Sequence, residues 1–325
     1  MLCSSCYSET KEHFCRKCRI KLFDGAKVSS ILRFKAPKED NFETYQQHTK
    51  RLSISGVQLK YSLRLETNNL VLSQKNGQYI LKPIPPARQI QAIDDAPENE
   101  HLTMQIAEQI FKIRTAPNAL LYFEDGQPAY ITRRFDLKTN ETKYLQEDFA
   151  QLLSRSSDSH GQNYKYDGTY EAIGTLIKKY VAAAPPALEE LFKQITFNYI
   201  ISNGDAHLKN FSLMLLETGE YCLTPAYDLM CTKLHTPYES DTALELFEDC
   251  MNSDFYSIYG YHGRSDFMAF AKKLQLVEKR ATDMLKKFMA SENQIISMVE
   301  KSALSDSSKN LYLKNLRDQI FRMGY

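Results

Sequence analysis

The sequence predicts an α+β fold in which strands dominate residues 51–136 and helices dominate residues 137–325. Two observations carry this prediction. In the first range, apolar and polar residues alternate in short runs between glycine turns, which is typical of half-buried strands. In the second range, apolar residues recur three or four positions apart, which is typical of amphipathic helices. At 325 residues the chain is long enough for one large core or two lobes.

Composition limits the classes of function. Hydrophobic residues make up 43% of the chain and charged residues 25%, and the net charge is +1, so no global field favours a nucleic acid or a membrane surface. No run approaches the roughly 20 apolar residues of a membrane span. The N-terminus lacks the charged-then-apolar pattern of a secretory signal. We therefore expect a cytoplasmic protein without a direct nucleic-acid or membrane partner.

The first 25 residues carry two Cys-x2-Cys pairs, formed by Cys3, Cys6, Cys15 and Cys18. Two such knuckles can clamp one tetrahedral zinc ion. His13, just before the second pair, could replace one cysteine. The competing reading is a flexible, reduced tail. With seven cysteines in the whole chain, an odd number, a disulfide scaffold is not indicated.

The remaining sequence divides by composition. Residues 26–50 are polar, contain Pro37 and read as a linker with room for one helical turn. We therefore predict four parts: a Cys-rich segment (1–25), a linker (26–50), a β-rich lobe (51–136) and a helical lobe (137–325).

Alternating strands open the β-rich range. Residues 51–65 alternate apolar and polar side chains, with an interruption at Ser55-Gly56 that marks a turn, a bulge or a close approach of a ligand. Two further strands, at 70–72 and 78–82, are split by the turn Asn76-Gly77. The second ends on Lys82. A lysine there is usually a strand end facing water, but the phosphate-pairing lysine of a kinase also follows a glycine-turn hairpin.

A helix is predicted over residues 97–113, followed by a hairpin over 119–136. Glu98 and Glu100 lie in the first helical turn. The helix dipole alone would favour acids at this end. Alternatively, one of them pairs with Lys82 and orients it.

Helical patterns dominate from about residue 145. Helices are predicted over 147–153 and 170–177, and another follows Pro185-Pro186 and ends at Ile200. A hairpin over 211–224 comes next, and from about residue 265 the pattern is helical to the end, with turns near Ser291 and Ser305.

Chemically capable side chains concentrate after the helix that ends at Ile200. Asp205 is the best general-base candidate, and Asn210 follows it by the five residues that separate base and metal-binding amide in a kinase catalytic loop. Asp228, beyond the hairpin, is the principal Mg²⁺ candidate, since hard oxygen ligands suit Mg²⁺ with bound phosphates. His207 and Lys209 could reach phosphate oxygens.

Each of these residues also has an ordinary explanation. Asn203-Gly204-Asp205 is common turn chemistry, and Tyr227-Asp228 could cap a helix. The chain contains no G-x-G-x-x-G, H-R-D or D-F-G signature. The combined spacing of two acids and an amide is what favours phosphoryl transfer.

Four motifs together resemble the HipA family of bacterial serine/threonine kinases, the toxins of toxin–antitoxin systems. They are Ser53-Ile54-Ser55-Gly56-Val57-Gln58-x-Lys60, Arg134-Phe135-Asp136, Asn203-x-Asp205-x-His207-x-Lys209-Asn210-Phe211-Ser212 and Thr224-Pro225-x-Tyr227-Asp228. The resemblance covers roughly residues 50–320 in the family's order. It implies a two-lobed protein-kinase-like fold that binds ATP and Mg²⁺.

The resemblance also implies roles for individual residues. Asp205 takes the base role, and Asn210 and Asp228 take the metal roles. Lys82 holds the α/β-phosphates with Glu100 as its partner. A phosphate loop is formed by Ser53, Ser55, Gly56, Val57, Gln58 and Lys60. The adenine hinge runs from Arg133 to Phe135, Asp136 lies near the ribose, and His207 contacts phosphate.

One departure is visible. The longer members have a small subdomain before the phosphate loop, whereas here only some fifty residues precede it and carry the cysteine pairs. This resembles the short HipT-type toxins of three-gene systems, in which the missing piece is a separate protein. The implied partners are HipB/HipS-like antitoxins and a protein substrate, an aminoacyl-tRNA synthetase. Autophosphorylation is implied at Ser53 or Ser55, where a phosphoserine would repel nucleotide.

Two other functions stay open at this point. A small-molecule kinase of related fold would use the same residues. A pseudokinase binding module would dock a partner through the cysteine knuckles and the lobes, although a degenerate site has no need of Asp205, Asn210 and Asp228 together.

Overall fold

The computed structural model describes residues 1–37, 59–85, 90–138, 142–249 and 253–324. The chain forms two compact units. Unit 1 comprises Met1–Gln105, Ala116–Thr142 and Met298–Lys309. Unit 2 comprises Ile106–Thr115, Lys143–Ser297 and Asn310–Tyr325.

Unit 1 is built on a five-stranded antiparallel sheet of order β2-β1-β3-β5-β4. Its strands are β1 Tyr61–Glu66, β2 Asn69–Leu72, β3 Tyr79–Pro83, β4 Asn118–Tyr122 and β5 Pro128–Arg133. The backbone approaches β1 closely at Gly77, where an added Cβ would lie 1.7 Å from the Ser62 Oγ and 3.3 Å from the Leu63 carbonyl oxygen. The predicted hairpin over 119–136 is present as β4 and β5. The predicted hairpin across Asn76-Gly77 is not, because β2 and β3 each pair with β1, which lies between them in the sheet. Strand β3 carries Lys82 in register with Tyr130 of β5.

The Cys-rich segment packs into the core of unit 1. It contains the helix α1, Arg16–Phe23, whose Leu22 and Phe23 are fully buried. They belong to one hydrophobic cluster with Leu63, Tyr79 and Leu81 of the sheet. The Tyr79 hydroxyl donates to the Leu22 carbonyl oxygen at 2.8 Å. Residues 1–25 therefore contribute to the fold of unit 1.

Residues 26–37 continue this packing and contain no helix. Tyr122 of β4 exchanges backbone hydrogen bonds with this segment, donating to the Ser30 carbonyl oxygen (2.8 Å) and accepting from the Leu32 amide (2.7 Å). Val28, Leu32 and Ala36 are buried in the same hydrophobic cluster. Apolar residues in a polar stretch thus give this part of the predicted linker a fixed position on β4.

The helix α2, Ala96–Gln109, follows the strands. It ends four residues before the predicted boundary, and Lys112 just beyond it has a left-handed backbone (φ 55°) that no helix accommodates. Leu102 and Ile106 are fully buried, as the apolar period predicts. Its first two turns also bury polar side chains: Glu98, Asn99, Glu100, His101 and Thr103. Buried polar groups of this kind are normally hydrogen-bonded.

Unit 2 contains a small antiparallel sheet of order β6-β7-β8, formed by Gln146–Asp148, Ser212–Leu215 and Tyr221–Leu223. The predicted helix over 147–153 is shorter than expected, because Gln146–Asp148 pairs with β7 instead. The helix α3, Phe149–Leu152, then begins at Asp148, whose side chain accepts from the Gln151 amide at 2.9 Å. Asp148 is a capping residue that stops the strand and starts the helix.

The other α-helices within the described residues are α4 Ser157–His160, α5 Tyr170–Tyr180, α6 Ala184–Ile200, α7 Asp254–Tyr259, α8 Arg264–Lys273, α9 Glu278–Ala290, α10 Glu292–Lys301 and α11 Asp306–Met323. The helix α6 has prolines in its first turn and buries Leu191, Phe192 and Ile195. Phe111 stacks on Phe288 of α9, with ring centroids 4.3 Å apart. Across the described ranges, no helix combines the length and hydropathy needed to cross a membrane.

Candidate functional site

The loop after α6 is fixed by its own polar side chains. The buried Asn203 donates from Nδ2 to the Asn198 Oδ1 (2.9 Å), and its Oδ1 accepts from the Asp205 amide (3.2 Å). A Cβ at Gly204 would lie 2.3 Å from the Ser240 carbonyl oxygen, so this position requires glycine. Ser202 has a left-handed backbone (φ 57°). The Asn-Gly-Asp sequence is thus the turn that presents Asp205.

The Asp205 carboxylate is 42% exposed, so it is accessible to a second molecule. Its Oδ1 accepts a hydrogen bond from the Tyr166 hydroxyl at 2.5 Å. The Lys165 Nζ lies 3.7 Å and the His207 Nε2 lies 3.9 Å from the same oxygen. A carboxylate held in place while exposed to solvent can accept a proton from a substrate hydroxyl.

Sequence reasoning missed Tyr166 and Lys165. Both lie in the polar loop between α4 and α5, far from Asp205 in sequence. Burial and the hydrogen bond to Asp205 raise the pKa of Tyr166, so its hydroxyl remains a donor. The Lys165 ammonium lies over the Tyr166 ring, 4.8 Å from the centroid. The run Tyr164-Lys165-Tyr166, in a loop whose other residues are polar or glycine, was the available signal.

His207 is buried beside this carboxylate. Burial lowers its pKa to about 4, although the charge of Asp205 opposes the shift. The imidazole is therefore neutral near pH 7 and acts as a hydrogen-bonding group. Among the described residues, its buried Nδ1 has no hydrogen-bond partner. The ring lies edge-on to Tyr166, with centroids 5.4 Å apart.

The two metal candidates lie on segments that are tied together. The Asn210 Oδ1 accepts from the His207 amide at 3.1 Å, which leaves the second lone pair of this oxygen for a cation. Asp228 has a left-handed backbone (φ 56°). Its charge slightly opposes the lowering of the His207 pKa by burial. Tyr227 donates to the Lys209 carbonyl oxygen at 2.9 Å and lies 2.6 Å from the Ser212 Oγ. Tyr227, half-buried beside Asp228, therefore joins its segment to the loop.

Lys209 has partners within unit 2. Its ammonium lies 3.6 Å from the Asp148 Oδ2 and donates to the Tyr164 hydroxyl at 3.3 Å. It also lies 5.7 Å from the centroid of the Tyr164 ring. The predicted contact of Lys209 with phosphate would compete with these interactions.

In unit 1 the structure brings Lys82 and Glu100 together. The Lys82 Nζ donates to the Glu100 Oε1 at 2.5 Å, and the two side chains are only 3% and 2% exposed. The ammonium also lies over the Tyr130 ring, 5.3 Å from its centroid. Lys82 is thus not a strand end facing water. A buried pair of this kind is costly to form and needs a close partner for each charge.

The predicted adenine-hinge residues lie at the end of β5. The Arg133 amide donates to the Pro117 carbonyl oxygen (2.8 Å), and its guanidinium binds both oxygens of Asp24 at 2.8 Å. The Asp136 carboxylate accepts from Arg134 at 2.8 Å. Phe135 lies between these two residues in sequence, and Lys60 directly precedes β1. The other predicted phosphate-loop residues lie outside the described residues: Ser53, Ser55, Gly56, Val57 and Gln58.

The four N-terminal cysteines converge in space. The sulfur atoms of Cys3, Cys6, Cys15 and Cys18 lie within 4.8 Å of one another. The Cys6 and Cys15 sulfurs are 3.8 Å apart, and the Cys15 amide donates to the Cys3 sulfur at 3.2 Å. A tetrahedral zinc ion with Zn–S distances of about 2.3 Å separates its sulfurs by about 3.8 Å. The donor set and its spacing therefore fit zinc.

His13 is not part of this cluster. Its Nδ1 lies 2.6 Å from the Ser30 Oγ, and its carbonyl oxygen accepts from the Ser4 amide at 3.0 Å. Both bonds give His13 a place in the packing of the Cys-rich segment.

Curated proteins from two bacteria resemble this chain in sequence. A Haemophilus influenzae protein described as "Putative kinase" is 27% identical over 243 residues, which is 71% of this chain and 69% of the relative. Two proteins of Sinorhizobium fredii carry the same description: Y4dM, 32% identical over 60% of this chain, and Y4mE, 27% identical over 72%. The chain spans about half the length of these two, 48% and 54% respectively.

Solved structures share the fold. HipA of Shewanella oneidensis MR-1, in a complex with HipB and its operator DNA, aligns with a TM-score of 0.61 at 21% identity, covering 84% of this chain and 65% of that one. The Helicobacter pylori proinflammatory kinase CtkA aligns with a TM-score of 0.54 at 12% identity, covering 82% and 90%. These alignments confirm the predicted α+β, kinase-like fold.

The profile of the family called HipA-like C-terminal domain matches residues 52–295. This range is about three quarters of the chain, and it includes Lys82, Glu100, Asp205, Asn210 and Asp228. The chain belongs to the HipA-like C-terminal domain family.

Proposed function

We propose that this protein is an ATP- and Mg²⁺-dependent protein serine/threonine kinase that acts as a toxin of a toxin–antitoxin system. The observation that carries the proposal is the setting of Asp205: a half-exposed carboxylate on a loop fixed by buried side chains, five residues before Asn210. Positioning and electrostatics are what phosphoryl transfer asks of a protein. Membership of a family whose relatives are described as kinases supports the same activity.

Each candidate site residue of unit 2 then has one proposed role. Asp205 accepts the proton of the substrate hydroxyl. Asn210 and Asp228 hold Mg²⁺ through an amide oxygen and a carboxylate, a donor set that suits this ion. Bound Mg²⁺ neutralises charge on the phosphates. His207, neutral because burial lowers its pKa to about 4, offers a hydrogen bond to a phosphate oxygen.

Unit 1 supplies the residues that bind nucleotide. Lys82 holds the α/β-phosphates, and Glu100 fixes its orientation from α2. Lys60 and residues 53–58 form the phosphate loop. The segment from Arg133 to Phe135 contacts adenine through backbone groups, and Asp136 lies near the ribose.

Labelling of a cell lysate tests the reaction class. The purified chain and Asp205→Asn are each incubated with lysate and γ-labelled ATP. A labelled protein band that depends on Asp205 supports a protein kinase. Label in small molecules alone would instead identify a small-molecule kinase. No turnover at all, together with retained partner binding, would identify a pseudokinase module.

The toxin assignment rests on resemblance and on one neighbour. HipA of Shewanella oneidensis was solved with HipB, and we propose that a HipB/HipS-like antitoxin binds this chain. The proposed substrate is an aminoacyl-tRNA synthetase. Induced expression should arrest growth, and Asp205→Asn should not. Growth arrest that Asp205→Asn retains would contradict kinase-based toxicity.

Autophosphorylation is proposed at Ser53 or Ser55. A phosphoserine carries close to two negative charges and would repel ATP phosphates. Mass spectrometry after incubation with ATP should find phosphate on at least one serine, with Asp205→Asn as the blank. Two unmodified serines in an active preparation would contradict the proposal.

We also propose that the four cysteines bind one structural zinc ion. Four sulfurs in a closed set leave no open coordination position, which is typical of structural sites. Elemental analysis of the purified chain should find one zinc per chain, and Cys6→Ser should lower this ratio. A chain purified without any bound metal would contradict the zinc site.

A further inference from the structure

We propose that the zinc-loaded cysteine cluster clamps the first turns of α2 and so positions Glu100 against Lys82, with Tyr7 and His101 as the positioning residues. This inference rests on the proposed kinase function only for its kinetic consequence. Its structural content concerns residues of unit 1 alone.

The clamp begins at the knuckle itself. Tyr7 follows the ligand Cys6, and its amide donates to the Cys3 carbonyl oxygen at 3.1 Å, closing the knuckle turn. Its backbone is left-handed (φ 59°), a conformation that a large side chain adopts only where its surroundings enforce it. The position of the Tyr7 ring is therefore set by the cysteine cluster.

The Tyr7 hydroxyl reaches α2. It donates to the Glu98 Oε1 at 2.8 Å and lies 2.9 Å from the His101 Nδ1. His101 makes a second contact with the same knuckle. Its Nε2 donates to the Ser5 carbonyl oxygen at 2.9 Å, because a carbonyl oxygen can only accept a hydrogen bond. Ser5 lies between the ligands Cys3 and Cys6. One knuckle thus contacts one face of α2 at two residues, Glu98 and His101.

The contacted residues, Glu98 and His101, lie on either side of Glu100 in sequence. Glu98 and His101 are two residues before and one residue after Glu100, and the side chains of Glu98 and His101 are 3% and 1% exposed. Hydrogen bonds to buried groups are expensive to break, so they fix the rotation of this turn. Rotation of the turn would withdraw Glu100 from Lys82.

The same knuckle is anchored on the sheet. The Ser5 Oγ donates to the Asn118 carbonyl oxygen at 2.8 Å, and the Ser4 carbonyl oxygen accepts from the Leu120 amide at 2.9 Å. The cluster therefore connects β4 to α2. Loss of zinc would release this connection, because four thiols without a metal do not hold two knuckles together.

Hydrogen exchange of the full chain tests the clamp independently of activity. Removing zinc with a chelator should speed exchange in residues 1–25 and in residues 96–105, and adding zinc back should restore both. Unchanged exchange in residues 96–105 after zinc removal would overturn the proposal.

Tyr7→Phe isolates the clamp from the metal. This variant keeps the ring and all four cysteines but loses the hydroxyl that contacts Glu98 and His101. We expect full zinc content, about fivefold faster exchange in residues 96–105, and a KM for ATP raised about fivefold with kcat nearly unchanged, because a net hydrogen bond has roughly this effect on an equilibrium.

Tyr79→Phe is the matched control. It also removes a buried tyrosine hydroxyl that binds the Cys-rich segment, but its partner is the Leu22 carbonyl oxygen and not α2. Exchange in residues 96–105 and the KM for ATP should stay at the wild-type values. An equal effect of Tyr7→Phe and Tyr79→Phe would mean a general loss of packing and would overturn the clamp. If no variant turns over ATP, the kinase function fails, and the exchange data still decide the clamp.

Discussion

The two candidate polar centres of this protein differ in their access to water. Asp205 of unit 2 is 42% exposed, whereas Lys82 and Glu100 of unit 1 are 3% and 2% exposed. Both centres are held by close hydrogen bonds. The difference indicates that Asp205 can meet a second macromolecule, while Lys82 is kept in one orientation by a neighbour that solvent does not reach.

This difference in exposure predicts different effects of mutation at the two centres. At an exposed centre, removing a charge alters chemistry and leaves stability nearly intact. At a buried pair, removing one charge leaves the other without compensation and destabilises the fold. The variants below test that distinction, beginning with the largest expected effect.

Asp205→Asn should lower phosphoryl transfer about 10³-fold, because the amide cannot accept the substrate proton. The melting temperature should change little, since the Tyr166 hydroxyl can still donate to the amide oxygen. Steady-state kinetics and thermal unfolding measure the two effects. Asp158→Asn, at an exposed acid in α4, is the control and should be neutral. Near-wild-type turnover by Asp205→Asn would remove it from the base role.

Glu100→Gln should lower the free energy of unfolding by about 3 to 5 kcal/mol, because Lys82 is left buried without its charge partner. The double variant Lys82→Met/Glu100→Gln should recover much of this loss while ATP binding remains impaired. Urea unfolding and nucleotide titration measure these quantities. A double variant as unstable as the single one would show that charge compensation is not the cause.

Acidification should destabilise unit 2 through His207. Its pKa is about 4 in the folded chain and 6.5 in the reference state, so the unfolded state binds more protons between these values. The contribution of His207 to the free energy of unfolding is therefore fully present above pH 6.5. It falls by about 3 kcal/mol as the pH drops to 4.

Urea unfolding of wild type and His207→Gln at pH 7.5, 5.5 and 4.5 checks this expectation. The variant should show a flatter dependence on pH. His160→Gln, at an exposed imidazole in α4, should retain the wild-type slope. Parallel slopes for wild type and His207→Gln would mean that another group controls the acid response.

Tyr166→Phe should have the smallest effect, a roughly three- to tenfold loss of kcat/KM, because one hydrogen bond to a partly exposed carboxylate is removed. Steady-state kinetics measure the loss. Tyr180→Phe, similarly exposed on α5, is the control and should keep the wild-type kcat/KM. An unchanged kcat/KM in Tyr166→Phe would show that Tyr166 does not act on Asp205.

Sequence reasoning reaches furthest where the signal is local. Asp205, Asn210 and Asp228 are predicted as site residues because their spacing within one loop and one hairpin is what phosphoryl transfer requires, and their roles stay a prediction. The strands of unit 1 followed from alternation and from turns such as Asn76-Gly77. The family resemblance added the pairing of Lys82 with Glu100, which spacing alone left between Glu98 and Glu100.

Contacts between distant segments were beyond a local pattern. Tyr166 reaches Asp205 from a polar loop that has no periodicity. The strand Gln146–Asp148 has three residues, too few for alternation to appear, and only its partner β7 makes it a strand. Likewise, nothing near Tyr7 in sequence predicts that its hydroxyl binds Glu98.

The place of α1 in the core has a practical consequence for work with this protein. Phe14, Leu22 and Phe23 share one buried hydrophobic cluster with Leu63 and Leu81, so deleting residues 1–25 would remove apolar packing from β1 and β3. A shortened chain that begins at the kinase-like portion would expose these apolar side chains to solvent and tend to aggregate. Poor recovery of such a truncation would report on exposed sheet surface, not on catalysis.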